Sequence, residues 1–181
     1  VGRSEPVRIL GVINVSPESF FKGSVKTFES SIAAEARRME KEGADFIDVG
    51  AMSTAPYLKT RISETEEARR LTRAVKLIRK ACSLPISIDT FRAIPAAEGL
   101  EAGAVILNDI TGFHGDSALP DLARQAQGVI LMAHPSALRK KRLGNPMKNT
   151  LRILRSSLAI ARRHGVPAAH LVVDPGVGFF R

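Results

Sequence analysis

Six short runs of Val, Ile and Leu alternate along the chain with longer stretches of helical period, and each run carries a polar side chain at or near its carboxyl end. Together these two observations predict an α/β fold with a parallel sheet, specifically a TIM (β/α)8 barrel of which about six βα units are present. Composition agrees, since 181 residues with 44% hydrophobic and 25% charged side chains can bury the core of one soluble domain.

The predicted strands fall at residues 8–13, 44–49, 85–88, 104–107, 129–132 and 171–173. Most are nearly continuous apolar runs, as strands covered on both faces must be. Between the first two, Phe28, Ile32, Ala36 and Met39 recur at helical spacing and stop at Gly43, a suitable C′ residue. Ser63 with Glu66 has capping-box spacing, and Glu64, Glu66 and Glu67 suit the first turn of a helix running to Lys80. Shorter helices are expected over 94–102 and 119–127. The last helix is expected to bury Met147, Leu151, Leu154, Leu158 and Ala161, leaving Arg152, Arg155, Arg162 and Arg163 largely off that face.

Charge and cysteine content narrow the function classes. Against 18 Asp+Glu stand 27 Lys+Arg, for a formal net charge of +9, and no acidic residue lies between Asp121 and Asp174. The helix pattern explains this basic stretch as a solvated face. A nucleic-acid binder using 139–163 is the non-enzymatic alternative, but no Trp, one Tyr and 5% aromatics leave few stacking partners. The lone Cys82 offers neither a disulfide nor a zinc site and is expected to be a small buried filler. No apolar window reaches membrane-spanning length and no secretory leader is evident, so a cytoplasmic protein without membrane contact is expected.

Function is expected at the strand ends. Asn14 follows the first strand; Asp48 lies within the end of the second, which runs on to Gly50, Ser53 and Thr54. Asp89, Asn108 with Asp109, His134 and Asp174 follow the remaining four. One such residue would be read as a helix cap, whereas six in step suggest one ligand-binding face. An open doubly wound sheet would also bind ligands at this edge, but through a glycine-rich phosphate turn that is absent here. Asp89, Asn108 and Asp174 combine carboxylates with an amide, the groups that hydrogen-bond a nitrogen heterocycle. Asn14 suits a hard cation such as Mg²⁺. Asp109 and Asp48 are read as organising groups. His134, without an evident carboxylate partner, is not read as a general base, and His114, His164 and His170 are read as loop or surface residues.

The motifs ILGVINVSPESF (9–20), GADFIDVGAMSTAP (43–56), PISIDT (85–90), ILNDITG (106–112), LMAH (131–134) and DPGVGF (174–179) resemble dihydropteroate synthase, in family order over nearly the whole chain. The resemblance implies a pterin-binding domain over 1–181 whose C-terminal part is missing, two strands short of a closed barrel. It implies a transferase joining 6-hydroxymethyl-7,8-dihydropterin diphosphate to p-aminobenzoate or a related arylamine with release of pyrophosphate. Asn14 then contacts metal and pyrophosphate, and Thr54 contacts diphosphate. Asp89, Asn108 and Asp174 hold the pterin, Met132 packs on its ring, Phe179 lines the pocket and Arg181 stands at a family lysine. Asn14, Asp89 and Asp174 are the catalytic set, Mg²⁺ is the cofactor, and a homodimer fits the family habit.

The resemblance departs at Glu18, where the family has Asp, and at Ala55, where it has Arg. These versions look like the archaeal branch, whose acceptor can be a larger phosphorylated ribosyl arylamine; Lys22 could replace the lost anion contact. A family lysine and an Arg-x-His motif from the seventh and eighth units are absent, so the 181 residues alone are expected to show little or no turnover. The competing enzyme reading is a pterin-binding methyltransferase domain serving a corrinoid protein, against which the NVSPESF loop argues.

Overall fold

The computed structural model describes residues 6–15, 25–52, 62–137 and 145–178. Six strands form one parallel sheet in sequential order: β1 (Leu10–Asn14), β2 (Phe46–Gly50), β3 (Ile86–Asp89), β4 (Ile106–Asp109), β5 (Gly128–Met132) and β6 (Leu171–Asp174). Each strand pairs only with its sequence neighbours, so no switch point divides the sheet as in a doubly wound fold. Helices α1 (Val25–Lys41), α2 (Glu64–Ala81), α3 (Ala93–Glu101), α4 (Leu119–Leu122) and α5 (Pro146–Arg163) occupy the crossovers. A 3₁₀ turn, Ala123–Gln125, follows α4.

Register explains why the apolar runs were legible. Ile13, Val49, Ile88, Leu107, Val129 and Leu171 pair in one continuous row across all six strands. The first five are buried in the core between sheet and helices, to which α2 adds Leu71, Val75 and Ile78. Adjacent residues on a strand point to opposite faces. The next row, Asn14, Gly50, Asp89, Asn108, Ile130 and Val172, therefore lies on the inner face of the sheet.

The strands begin one or two residues later than the apolar pattern suggests at four positions, and four of them extend to the polar residue itself. Asn14, Asp89, Asn108 and Asp174 thus belong to the hydrogen-bonded ladder rather than to the loops beyond it. Ser63 caps α2 as expected, its Oγ accepting the Glu66 N–H at 3.2 Å. The reciprocal half of the box does not form, because the Glu66 carboxylate accepts from Arg69 and Arg70 instead.

Helix α5 turns a different face inward from the one its apolar stripe predicts. Asn149, Thr150, Ile153, Ser157 and Ala161 are buried, while Met147, Leu151 and Leu158 are exposed by 66%, 44% and 38%. Of the predicted stripe only Ala161 is fully buried. Arg152, Arg155, Arg162 and Arg163 are exposed, as a solvated face requires. Cys82 is the C-cap of α2 and only half-buried, its thiol raised in pKa by desolvation. The inner face is open at both sheet edges, with Val12 on β1 53% and Val172 on β6 46% exposed. Among the described residues no helix is long and apolar enough to cross a membrane.

Candidate active site

The inner row assembles a cup at the carboxyl ends of the strands. Gly50 stands between Asn14 and Asp89: a Cβ built on it would lie 3.1 Å from Asn14 Oδ1 and 3.5 Å from Asp89 Oδ2. The missing side chain leaves these two polar groups facing a shared space. On the other side of Asp89, Asn108 donates from Nδ2 to Asp48 Oδ2 at 3.1 Å. Asp48 lies two residues before Gly50 and so shares its face of β2.

One step further along the strands, Met132 of β5 pairs with Asp174 of β6. Met132 is 5% exposed. Asp174 Oδ1 accepts the Gly176 N–H at 2.8 Å, and its carbonyl accepts the Ala133 N–H at 2.9 Å. Gly176 has φ +65°, and a Cβ there would stand 2.2 Å from the Ala133 carbonyl oxygen. The turn after β6 therefore requires glycine, and it folds back over the end of β5 so that Asp174 is held by its own loop.

Burial and crowding of like charges set the electrostatics of the cup. Desolvation, with further contributions from Asp48, Asp109 and Glu67, pushes the Asp89 carboxyl up to about 8. Burial also raises Asp48, against the lowering effects of the Ser87 hydroxyl and the Asn108 amide. A carboxyl raised in this way can remain protonated near neutrality and donate a hydrogen bond as well as accept one.

Asp109 has a different job from its neighbour Asn108. It is completely buried on the helix side, where it accepts Thr111 N–H and Oγ1–H, both at 2.7 Å, and Phe113 N–H at 2.6 Å. These bonds close a tight turn in which Phe113 adopts φ +67°. His134 lies beyond β5 with Nδ1 2.7 Å from Ser136 Oγ, and burial lowers its pKa. His164 meets Asp121 at 2.8 Å and His170 meets the Ala126 carbonyl at 3.2 Å, both away from the cup. Burial lowers the pKa of His114, which lies in the turn beyond β4.

Of the sequence-predicted site residues, Asn14, Asp89, Asn108, Met132 and Asp174 fall on the inner face of the strand ends. Thr54, Phe179 and Arg181, like Glu18, Lys22 and Ala55, lie outside the described residues. Two groups were missed. Gly50 appears in the sequence only as the run-on of the second strand and is given no role there, whereas the register places it between Asn14 and Asp89. Glu67 reads as one more acid of a helix first turn, yet it lies at helical spacing from Leu71, Ala74, Val75 and Ile78. That periodicity marks it as an inward carboxylate.

Mg²⁺ can be tested against this geometry. Among the described residues no group of three or more His, Cys, Asp or Glu could hold a metal ion. Asn14 is exposed at the end of β1 and presents its side-chain oxygen to the cup. One protein oxygen suits an ion that keeps several waters and takes its other ligands from a bound diphosphate. Among the described residues the donor set suits a largely hydrated Mg²⁺ met by one protein oxygen and not a metal caged by side chains.

Parallel strands in sequential order, with amides and carboxylates collected on their inner ends, define an α/β-barrel architecture with its polar side chains at the strand carboxyl ends. Residues 10–181 match the family described as pterin binding enzymes, and the chain belongs to that family. It is 33% identical over 175 residues to the dihydropteroate synthase of Clostridium beijerinckii, covering 97% of this chain and 64% of the relative. The Bacillus subtilis dihydropteroate synthase is also 33% identical over 175 residues, with 97% and 60% covered. Among solved structures, the Clostridium difficile dihydropteroate synthase crystallised with pteroic acid superposes with a TM-score of 0.87 at 31% identity, over 96% of this chain and 65% of that one. The Xanthomonas albilineans enzyme in complex with 7,8-dihydropteroate gives 0.82 at 27% identity, over 100% and 64%. The chain thus spans less than two thirds of the length of these relatives.

Proposed function

We propose that these residues carry the pterin half of a dihydropteroate synthase site. In the reaction, the arylamine nitrogen of p-aminobenzoate or a related acceptor attacks the methylene carbon of 6-hydroxymethyl-7,8-dihydropterin diphosphate. The carbon–oxygen bond to the diphosphate breaks with its electron pair on the departing pyrophosphate, and the amine loses a proton. The observation that carries this reading is the inner row Asn14, Gly50, Asp89 and Asn108, with Met132 and Asp174 one step above it.

Asn108 offers an amide, and Asp89 and Asp174 offer carboxyl groups, to the amino and ring nitrogens of the pterin, with Met132 against its ring. Asn14 stands at the diphosphate end, where its Oδ1 would hold Mg²⁺ and the ion would neutralise charge on the leaving group; the family resemblance alone assigns Thr54 to the same end. The same resemblance assigns Phe179 to the pocket and Arg181 to the position of a family lysine. No side chain needs to become a covalent intermediate, because the residues gain rate by orienting the methylene carbon and shielding it from water. Two further βα units complete the barrel and the acceptor side of the site, in a cytoplasmic homodimer.

The test is a titration of the full-length protein with 6-hydroxymethylpterin and with its diphosphate, each with and without Mg²⁺. A synthase binds the diphosphate more tightly, and Mg²⁺ widens the difference. Equal affinity for both pterins, regardless of Mg²⁺, would favour a pterin-dependent methyltransferase and overturn the reading.

A further inference from the structure

A buried polar network lies directly behind Asp89, and it uses residues that no step of the reaction employs. Glu67, at the end of the first turn of α2, is 1% exposed. Its Oε1 accepts the Thr90 hydroxyl at 2.6 Å and its Oε2 accepts Arg92 Nη1 at 2.9 Å. Thr90 and Arg92 are themselves 2% and 7% exposed. The Thr90 oxygen also accepts the Arg92 N–H at 3.3 Å, and Arg92 Nη1 donates to the Ile62 carbonyl at 3.0 Å, just before the α2 cap. The Arg92 guanidinium lies 5.4 Å from the Phe91 ring centroid.

The placement matters more than the number of bonds. Residues 89 and 90 point to opposite faces of the sheet, so Asp89 enters the cup while Thr90 enters the helix layer. The Thr90 N–H meanwhile donates to the Asn108 carbonyl at 3.1 Å, continuing the ladder one step past Asp89. Thr90 is therefore held on two sides: its hydroxyl by Glu67 and its amide by the strand that carries Asn108. Rotation of this peptide unit would move Asp89 relative to Asn108. Stability alone is a poor reason for such a network, since a buried ion pair often contributes no more than well-packed apolar side chains of the same volume.

We propose that Glu67 is a positioning residue, which acts through Thr90 and Arg92 to fix the turn leaving β3 and hence the Asp89 carboxyl in the pterin cup. This rests on the functional reading above. The network reaches the cup from behind, so Glu67 touches no substrate and governs affinity through geometry.

The experiment uses full-length protein, 6-hydroxymethylpterin as the probe and thermal unfolding as the control. T90V keeps the side-chain volume and the Glu67–Arg92 pair but removes the hydroxyl, and T90S restores the hydroxyl. E67L/R92M removes both charges together, avoiding the lone buried charge that a single substitution would leave. T90V and E67L/R92M are expected to unfold cooperatively and to bind the pterin about tenfold or more weakly, the scale of loss for a displaced contact group. T90S is expected to bind as the unsubstituted protein does. Folded T90V and E67L/R92M with unchanged pterin affinity would overturn the positioning role alone. Failure of the unsubstituted protein to bind pterin would instead remove the functional reading, and the positioning role with it.

Discussion

Asn108 and Asp109 are neighbours in sequence and occupy opposite faces of the sheet. Asn108 Nδ2 donates to Asp48 inside the cup, whereas Asp109 closes the following turn beneath the helices with bonds to Thr111 and Phe113. The pleat of a strand enforces this division, so the two positions must fail differently when substituted. D109A leaves one buried and one half-buried N–H group unpaired and is expected to cost about 3 kcal/mol, read from urea unfolding. N108A removes one hydrogen bond to Asp48 and is expected to cost about 1–2 kcal/mol, less than D109A, and to weaken 6-hydroxymethylpterin binding about tenfold or more. If N108A were the more destabilising of the two, the assignment of faces would be wrong.

The raised Asp89 carboxyl makes a prediction about pH. In the folded chain it keeps its proton up to about pH 8, whereas the unfolded carboxyl loses it near its ordinary value of 3.8. Folding therefore takes up a proton between these limits, and the contribution of Asp89 to stability falls as pH rises through that window. D89N cannot titrate, so its stability should decline less steeply from pH 5 to pH 8. The difference in slope has a ceiling of about 1.4 kcal/mol per pH unit for one group. Part of the slope should persist in D89N, because burial also raises Asp48 and Asp109. Parallel pH profiles for the two proteins would show that Asp89 is ionised in the fold.

Sequence patterning reached the sheet further than it reached the site. Parallel strands buried on both faces carry unbroken apolar runs, so all six were visible, including the short Ile86–Asp89 and Leu171–Asp174. Their ends were misplaced because an apolar pattern stops where the side chains turn polar, while the backbone ladder continues through Asn14, Asp89 and Asp174. Helix α5 failed for another reason. Its stripe from Met147 to Leu158 was expected to be buried together with Ala161, yet of these only Ala161 is fully buried, and Asn149, Thr150, Ile153 and Ser157 take the inward face instead. Periodicity reports that a stripe exists and not which neighbour covers it. Glu67 was hidden among the acids that favour any helix N-terminus, although its spacing from Leu71 and Ile78 was available.

The open edges of the sheet bear on activity. Inner-face positions of the middle strands are closed, with Ser87 at 0% and Asp48 at 4% exposure, but Val12 and Val172 on the outer strands are about half exposed. A cup open on two sides excludes water poorly. The 181-residue polypeptide is accordingly expected to form little or no dihydropteroate from pterin diphosphate and p-aminobenzoate in a product assay. Turnover at a rate comparable with the full-length protein would show that the six strands suffice.

Gly50 and Gly176 separate room for a ligand from permission for the backbone. At Gly176 a side chain meets both obstacles, a left-handed φ of +65° and a backbone oxygen 2.2 Å from the new Cβ. Neither can yield without moving the end of β5, so G176A is expected to cost about 3 kcal/mol and to lower the thermal midpoint clearly. At Gly50 the backbone is ordinary and the nearest atoms, Asn14 Oδ1 at 3.1 Å and Asp89 Oδ2 at 3.5 Å, belong to side chains. G50A should therefore fold with a stability change of about 1 kcal/mol or less. Its methyl group would occupy the space that Asn14 and Asp89 share, so Mg²⁺-dependent binding of the pterin diphosphate should weaken about tenfold. If G50A kept full affinity, the diphosphate end of the ligand would have to lie elsewhere than between these two residues.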